Sequence, residues 1–322
     1  MTTTAPGPGT PAPEARDPDA ASSRPQLLLL MLLGDHVLDR GVCLYSGSVV
    51  DALGRAGVSE HAARSTLTRM VNRDLLRRQR DGRRMYFGLT ARSRDLLHDG
   101  QARIWRAGVV EDDWDGTWTL LGFSLPESWQ RERHGLRSQL AWAGFGPLQG
   151  GLWIAPGHVE VAGIVGGLGA VARVRVFRAR ADELTDVERL VRDAWDLGAL
   201  AARYRTFLDR WDGGGRPVAD PLGARLSLVA EWLQAIRRDP RLPVRHLPRD
   251  WPAARALTVF RELAATLEGP AQEAAAAVLE TRPDEAEAES RAFRAYAGGE
   301  PGPRTTFPPA SSAGPPGGAD AQ

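Results

Sequence analysis

Lysine is absent from this chain: all 41 residues of its Lys+Arg count are arginine. The arginine fork suits phosphate and carboxylate. The bias holds along the whole sequence, however, so GC-rich coding accounts for it better than a preference for phosphate. Cysteine is nearly absent, and the single Cys43 excludes an internal disulfide and any multi-cysteine zinc site. The six histidines, at positions 36, 61, 98, 134, 158 and 246, show no i,i+4 pairing, so local spacing builds no metal site. No apolar run nears the roughly 18 residues of a membrane span. Gln26–Leu33 is apolar but short, and it follows Pro, Ala and acidic residues rather than a basic segment, which argues against a signal peptide. These absences predict a cytoplasmic protein with no cofactor, no metal and no membrane association.

What is present is enough for real cores. A length of 322 residues suggests two or three domains, and 43% of the residues are apolar. The net charge of +1 conceals an asymmetry, with arginine in excess over the first third and acidic residues in excess behind it. A basic front points to nucleic acid at that end.

The stretch Ser46–Thr90 carries the strongest signal. It reads as helix, tight turn, helix and a two-stranded ribbon. Gly57 supplies the permissive backbone of the turn, and Ser59 is placed to cap the second helix. At 100° per residue Ala63, Leu67, Met70 and Val71 share the core face. The opposite face presents His61, Ser65, Thr68 and Asn72, flanked by Arg64 and Arg69. Short polar side chains beside arginines suit a helix lying in the DNA major groove. The ribbon pairs residues 77–80 with 83–87 around Asp81-Gly82, a two-residue hairpin signal. Its five arginines, Arg77, Arg78, Arg80, Arg83 and Arg84, would repel one another on a free surface but neutralise phosphates on a duplex. Helix–turn–helix plus basic hairpin is a winged helix.

Six segments follow from composition. Residues 1–24 and 298–322 are Pro-, Gly- and Ala-rich and read as disordered tails. Residues 25–92 form the winged-helix domain, opened by an apolar helix over 27–39, and 93–113 form a helical connector. Residues 114–181 run strand (Thr117–Phe123), helix (Glu127–Trp142), two short strands around a Gly-rich turn, helix (His158–Leu168) and strand, a ferredoxin-like βαββαβ order. Glycines 144, 146, 150 and 151 lack the spacing of a phosphate loop and read as turn residues. Residues 182–297 read as an all-helical C-terminal domain, punctuated by prolines 217, 221, 240, 243, 248 and 252. Trp195, Tyr204, Phe207, Trp211, Trp232, Trp251 and Phe260 are spaced as its core. The fold class is therefore α+β.

The chain resembles the PaaX-type transcriptional regulators. The resemblance is carried by LLLMLLGDHVL, by GVSEHAARSTLTRMVNRDLL with GRRMYFGLT, by WDGTWTLLGFSLPES with WQRERHGLRSQLAWAGFGPLQGGLWIAP, and by LPRDWPAARALTVFREL, in matching order over roughly residues 26–265. It implies a winged helix, a central domain similar to the small CRISPR-associated nuclease, and a helical C-terminal domain. It also implies a dimeric repressor that binds an inverted-repeat operator on double-stranded DNA. Such a repressor controls a catabolic operon for phenylacetate or related aromatic or acyl compounds. An acyl-CoA thioester, phenylacetyl-CoA in the type case, releases it. Carried over residue by residue, the recognition helix is Ser59, His61, Arg64, Ser65, Thr68 and Arg69, and the wing is Arg77, Arg78, Arg80, Arg83 and Arg84. No effector motif transfers, so the effector-binding residues stay unknown. The long tails depart from the family's pattern.

Three functional classes compete. In a ligand-responsive repressor, the phosphates of an acyl-CoA need arginine partners. The candidates are Arg131, Arg133, Arg137, Arg173, Arg175 and Arg178, each of which also reads as part of a solvated face. A metal-dependent nuclease needs converging carboxylates. The nuclease relatives carry an acidic ligand at the end of the first strand, where this chain has Gly122-Phe123-Ser124. Asp112, Asp113 and Asp115 lie at that strand's other end. A ligand-independent DNA-binding protein leaves the large helical back half without a purpose. The first class is the expectation, with no enzymatic activity.

Overall fold

The structure is a computed structural model that describes residues 24–105, 114–126, 128–165, 173–213 and 220–289. The expected tails lie outside these residues, apart from Arg24, as do Asp112 and Asp113. The front third runs α1 (Arg24–His36), β1 (Val42–Tyr45), α2 (Ser46–Arg55), α3 (Glu60–Asn72), β2 (Leu76–Asp81), β3 (Arg84–Leu89) and α4 (Ala91–Trp105). The middle holds β4 (Thr117–Phe123), α5 (Gln130–Trp142), β5 (Gly146–Pro147), β6 (Leu152–Pro156), α6 (Ala162–Val165) and β7 (Val174–Arg180). The back contributes α7 (Val187–Ala194), α8 (Leu197–Trp211), α9 (Pro221–Ile236), α10 (Ala253–Val278) and β8 (Thr281–Pro283).

Among the described residues the strands form two antiparallel four-stranded sheets. The middle sheet has the order β5-β6-β4-β7, with every pairing antiparallel. The first strand thus lies between the third and the fourth, the ferredoxin-like solution to a βαββαβ order. Gly150 and Gly151 have φ of 53° and 87° in the β5–β6 turn. A side chain at Gly151 would come within 2.7 Å of the Phe123 carbonyl oxygen, so these glycines serve the turn. Helix α5 starts at Gln130 rather than Glu127, and α6 covers only Ala162–Val165 of the expected His158–Leu168, whose last three residues lie outside the described ones.

The expectation of an all-helical back half fails at β8. This strand pairs with β1, Val42 to Pro283 and Leu44 to Thr281, and completes a front sheet of order β2-β3-β1-β8. Three residues ending in proline give no strand signal of their own. Their pairing partner is supplied by a segment more than 200 positions away.

The back helices also share the front's core. Helix α1 is buried from Gln26 to Leu33 without a polar face. A helix that is apolar all round must be enclosed. Here α2, α3, α4 and α9 enclose it. Leu28, Leu29, Leu32 and Leu33 are wholly buried, each contributing about 2 kcal/mol of transfer free energy. Helix α9 is enclosed in the same way, by α1, α2, α4, α8 and α10. Asp220 caps it by accepting the Gly223 N–H at 2.9 Å, and Pro221 pre-sets its first turn. Trp232 of α9 stacks on Phe260 of α10 with ring centroids 4.7 Å apart, and its Nε1–H donates to the Ile104 carbonyl of α4 at 3.3 Å. Tyr204 and Phe207 are buried in this cluster, with Trp211 and Trp251 packed against it. Trp195 goes elsewhere. Asp196 caps α8 and breaks the α7–α8 run, turning Trp195 onto Trp118 of β4 in a separate cluster with Ile154, Val191 and Leu242.

Candidate nucleic-acid interface

Helix α3 begins where its sequence says it should. Ser59 is the N-cap, its hydroxyl oxygen accepting the Ala62 N–H at 3.3 Å, and Gly57 takes φ of 81° in the turn before it. Ala63, Thr66, Leu67 and Met70 are buried, with Val71 packed at the edge of the core. His61, Arg64, Thr68, Arg69 and Asn72 are exposed, and Ser65 is half-buried. Within this face Arg64 Nε donates to Glu60 at 2.8 Å, and the Thr68 hydroxyl donates to the Arg64 carbonyl at 3.1 Å. Arg69 lies along the helix, donating to Ser65 Oγ at 2.9 Å and Thr66 Oγ1 at 2.8 Å. His61 and Arg64 lie in its first two turns, while Arg69 flanks them.

The hairpin follows with β2 and β3 paired from Leu76–Leu89 to Asp81–Arg84. Its two central residues are Gly82 and Arg83, one position beyond the expected Asp81-Gly82. Gly82 holds φ of 56° there. The register sets two buried leucines opposite each other at the base of the ribbon, which secures it against slippage.

Alternation along β2 divides the five arginines into two groups. Arg78 and Arg80 project on the side of Phe87 and Met85, and Arg83 occupies the tip. All three are exposed. Arg80 Nε donates to the Gly82 carbonyl at 2.9 Å, steadying the tip, while Arg78 and Arg83 have no ion pair or hydrogen bond among the described residues. Arg77 and Arg84 project on the other side, where the segment that carries β8 engages them. Arg77 is partly buried, donates to the Leu89 carbonyl at 3.1 Å and pairs with the buried carboxylate of Asp284. Arg84 pairs with Glu280 at 2.5 Å. The Tyr86 hydroxyl donates to the same carboxylate at 2.6 Å, and together these donors hold Glu280 below the usual carboxylate range. Arg282 pairs with Asp81, and Arg94 of α4 with Glu287 at 2.8 Å. Sequence reasoning missed this clasp, because Arg77 and Arg78 look alike until their strand face is known.

The comparisons with known proteins cover the chain in three consecutive pieces. Residues 24–93 match the family model described as PaaX-like protein, 111–191 the PaaX protein central Cas2-like domain, and 195–277 the PaaX-like protein C-terminal domain. The Transcriptional repressor PaaX of Escherichia coli (strain K12) is 28% identical over 243 residues, 70% of this chain and 74% of that protein. The chain belongs to the PaaX family. A solved structure of an uncharacterized protein, Rv0674, from Mycobacterium tuberculosis shares the fold at a TM-score of 0.50 and 24% identity, covering 77% of this chain and 97% of that one.

In this PaaX-family chain four of the six arginines expected to meet an anionic effector are taken up by local contacts. Arg133 donates to the Leu125 and Pro126 carbonyls at 2.8 and 3.2 Å. Arg173 lies over the Trp129 ring, Arg178 contacts His158, and Arg175 donates to the Val174 carbonyl. Arg131 and Arg137 are exposed on α5. In the Cas2-like domain β4 ends at Gly122 and Phe123 without a carboxylate. Asp115 at its start accepts from the Thr117 N–H and hydroxyl, both at 2.8 Å, which draws its carboxyl below the usual range. Among the described residues no group of three or more His, Cys, Asp or Glu is placed to hold a metal, and no helix is long and apolar enough to cross a membrane.

Proposed function

We propose that this protein is a winged-helix transcriptional repressor, with α3 as its recognition helix and the β2–β3 hairpin as its wing. The observation that carries this reading is the pairing of two surfaces. An exposed face of His61, Arg64, Thr68 and Arg69 is backed by a buried apolar one, and beside it stands a hairpin whose Arg78, Arg80 and Arg83 are directed outward. Similarity to a transcriptional repressor supports it. His61, Arg64, Ser65 and Thr68 read base edges in the major groove. Arg69 and Ser59 position the helix on the backbone, Ser59 with the hydroxyl proton that its capping role leaves unused. Arg78, Arg80 and Arg83 neutralise phosphates, while Arg77 and Arg84 hold the wing to the segment that carries β8. A homodimer places two such units on an inverted repeat, one helical turn or a multiple apart. The regulated genes belong to the catabolism of phenylacetate or related aromatic or acyl compounds, and an acyl-CoA thioester releases the repressor.

A gel-shift titration on the gene's own upstream DNA, with phenylacetyl-CoA and a panel of other acyl-CoAs, tests this reading. Binding that one thioester abolishes supports the whole of it. No binding at low salt sinks it.

Two substitutions separate positioning from readout. Arg83→Ala is expected to weaken binding to specific and random DNA alike and to flatten the log K–log salt slope by about 0.9. An unchanged slope would mean that the wing tip does not lie on phosphate. Arg64→Ala and Thr68→Ala are instead expected to relax base preference at single operator positions, by about 1–3 kcal/mol each. Base-by-base operator substitution reads this out. A uniform loss across all positions would take these residues out of base recognition.

A further inference from the structure

Helix α3 carries one acidic side chain, Glu60, at its first position. An acid there suits the positive end of a helix, yet it stands at the margin of the face assigned to DNA, an anion. Its partner accounts for it. Glu60 Oε1 accepts from Arg64 Nε at 2.8 Å, one turn further on, and the two side chains are 66% and 58% exposed. At 100° per residue Glu60 lies about 40° round the helix from Arg64, on the side away from His61 and Ser65. It therefore braces the arginine from the flank and leaves the outward direction open. Such a pair adds little stability in water. In a groove from which water is displaced, its charges are less screened and the arrangement is held more firmly.

The bond to Glu60 engages Nε alone. Neither Nη nitrogen of Arg64 has a partner among the described residues, so they remain as a planar fork of two donors. In the major groove guanine presents two adjacent acceptors, N7 and O6. Adenine sets an N6 donor beside its N7, and neither pyrimidine offers two acceptors. The fork matches guanine. Arg69, the other arginine of this face, is not equivalent. Its Nη1 and Nη2 donate to Ser65 Oγ at 2.9 Å and Thr66 Oγ1 at 2.8 Å, along its own helix. The Glu60 carboxylate also repels a phosphate at the place where Arg64 would meet one, which favours the base edge over the backbone.

We propose that Arg64 reads a guanine of the operator and that Glu60 is its positioning residue, holding the guanidinium by Nε so that the two Nη groups meet O6 and N7. The assignment rests on the reading of α3 as a recognition helix and gives that helix a base. Glu60 touches no base; it acts through Arg64. Without it the arginine is free to swing onto neighbouring phosphates, so affinity for DNA in general is kept while the choice of base is lost. Position supports the role, because both residues lie in the N-terminal half of α3, the part of a recognition helix that reaches base edges.

The test is a gel-shift titration of the full chain on its upstream DNA, with each base pair substituted in turn. Arg64→Ala locates the position at which base preference disappears. There wild type is expected to prefer guanine to adenine by about tenfold or more. Inosine keeps O6 and N7 and should bind as guanine does, whereas 7-deazaguanine lacks N7 and should weaken binding several-fold. Glu60→Ala should lower the preference to about threefold or less while binding random DNA at least as tightly as wild type. Glu60→Gln keeps an acceptor for Nε and should retain most of the preference. Added to Arg64→Ala, Glu60→Ala should change the preference no further. Both positions are exposed, and thermal melts confirm the fold of each variant. A base other than guanine at the Arg64 position, or indifference to 7-deazaguanine, would overturn the readout. Full guanine preference in Glu60→Ala, or an equal loss at every base pair, would overturn the role of Glu60. Absence of any binding by wild type at low salt would overturn the repressor reading and the assignment together, an outcome distinct from both.

Discussion

Gly223→Ala is expected to destabilise the protein by about 2–3 kcal/mol, at the upper end of ordinary overpacking. The added Cβ would lie 2.2 Å from the Arg55 carbonyl oxygen and 2.6 Å from its carbon. Both are backbone atoms, so no side-chain rotation relieves the contact. Alanine is the better helix former by about 1 kcal/mol, but α9 must move bodily away from α2 to accept it, and the clash prevails. At about 2–4 °C per kcal/mol for a chain of this size, Tm should fall by roughly 5–10 °C. Gly54→Ala is the control. It lies in α2, and a Cβ there meets nothing within 4 Å, so it should raise stability by about 0.5–1 kcal/mol. Equal melting of the two variants would mean that α9 does not press on α2. Operator affinity should fall with Gly223→Ala as well, because the strained contact adjoins the turn that orients α3.

The second large effect concerns the clasp behind the wing. Asp284 is 1% exposed and pairs with Arg77. Asp284→Ala leaves that guanidinium partly buried without its counter-charge, at an expected cost of about 3 kcal/mol. Arg77→Leu strands the carboxylate and should cost a similar amount. The double variant removes both charges together, so it should recover at least half of the summed loss. Thermal or urea melts of the four proteins close the cycle, and strict additivity would show that the pair is not coupled. The same variants separate the two groups of wing arginines. Arg77→Leu should lower Tm and leave the salt slope of DNA binding unchanged, whereas Arg83→Ala should do the reverse.

Much of the candidate interface was legible in the sequence because it is built from local rules. Ser59 caps α3, Gly57 turns the chain before it, and Ala63, Leu67 and Met70 face inward. Each needs only the 3.6-residue period and the chemistry of helix ends. The hairpin was legible too, with its centre one residue off. Asp81, Gly82 and Arg83 offer two adjacent centres, and the choice follows from pairing Leu76 with Leu89 at the base. The βαββαβ order of the middle domain likewise led directly to the observed strand order.

The rest depended on partners distant along the chain. Arginines at 77, 78, 80, 83 and 84 are equivalent as a string of letters, and only strand alternation and β8 assign two of them to carboxylates and leave three directed outward. Trp195 matches the helical aromatic pattern but is turned onto Trp118 by the cap at Asp196. The arginines of the middle domain carry the right charge as letters, but folding gives four of them local partners, such as the Leu125 carbonyl for Arg133 and the Trp129 ring for Arg173. The sequence alone determined the helices, their caps, the turns and the basic front, since these depend on residues a few positions apart. The tertiary structure decided which arginines are paired, where β8 inserts and what surrounds α9, because burial and charge pairing are set by neighbours that only folding brings together.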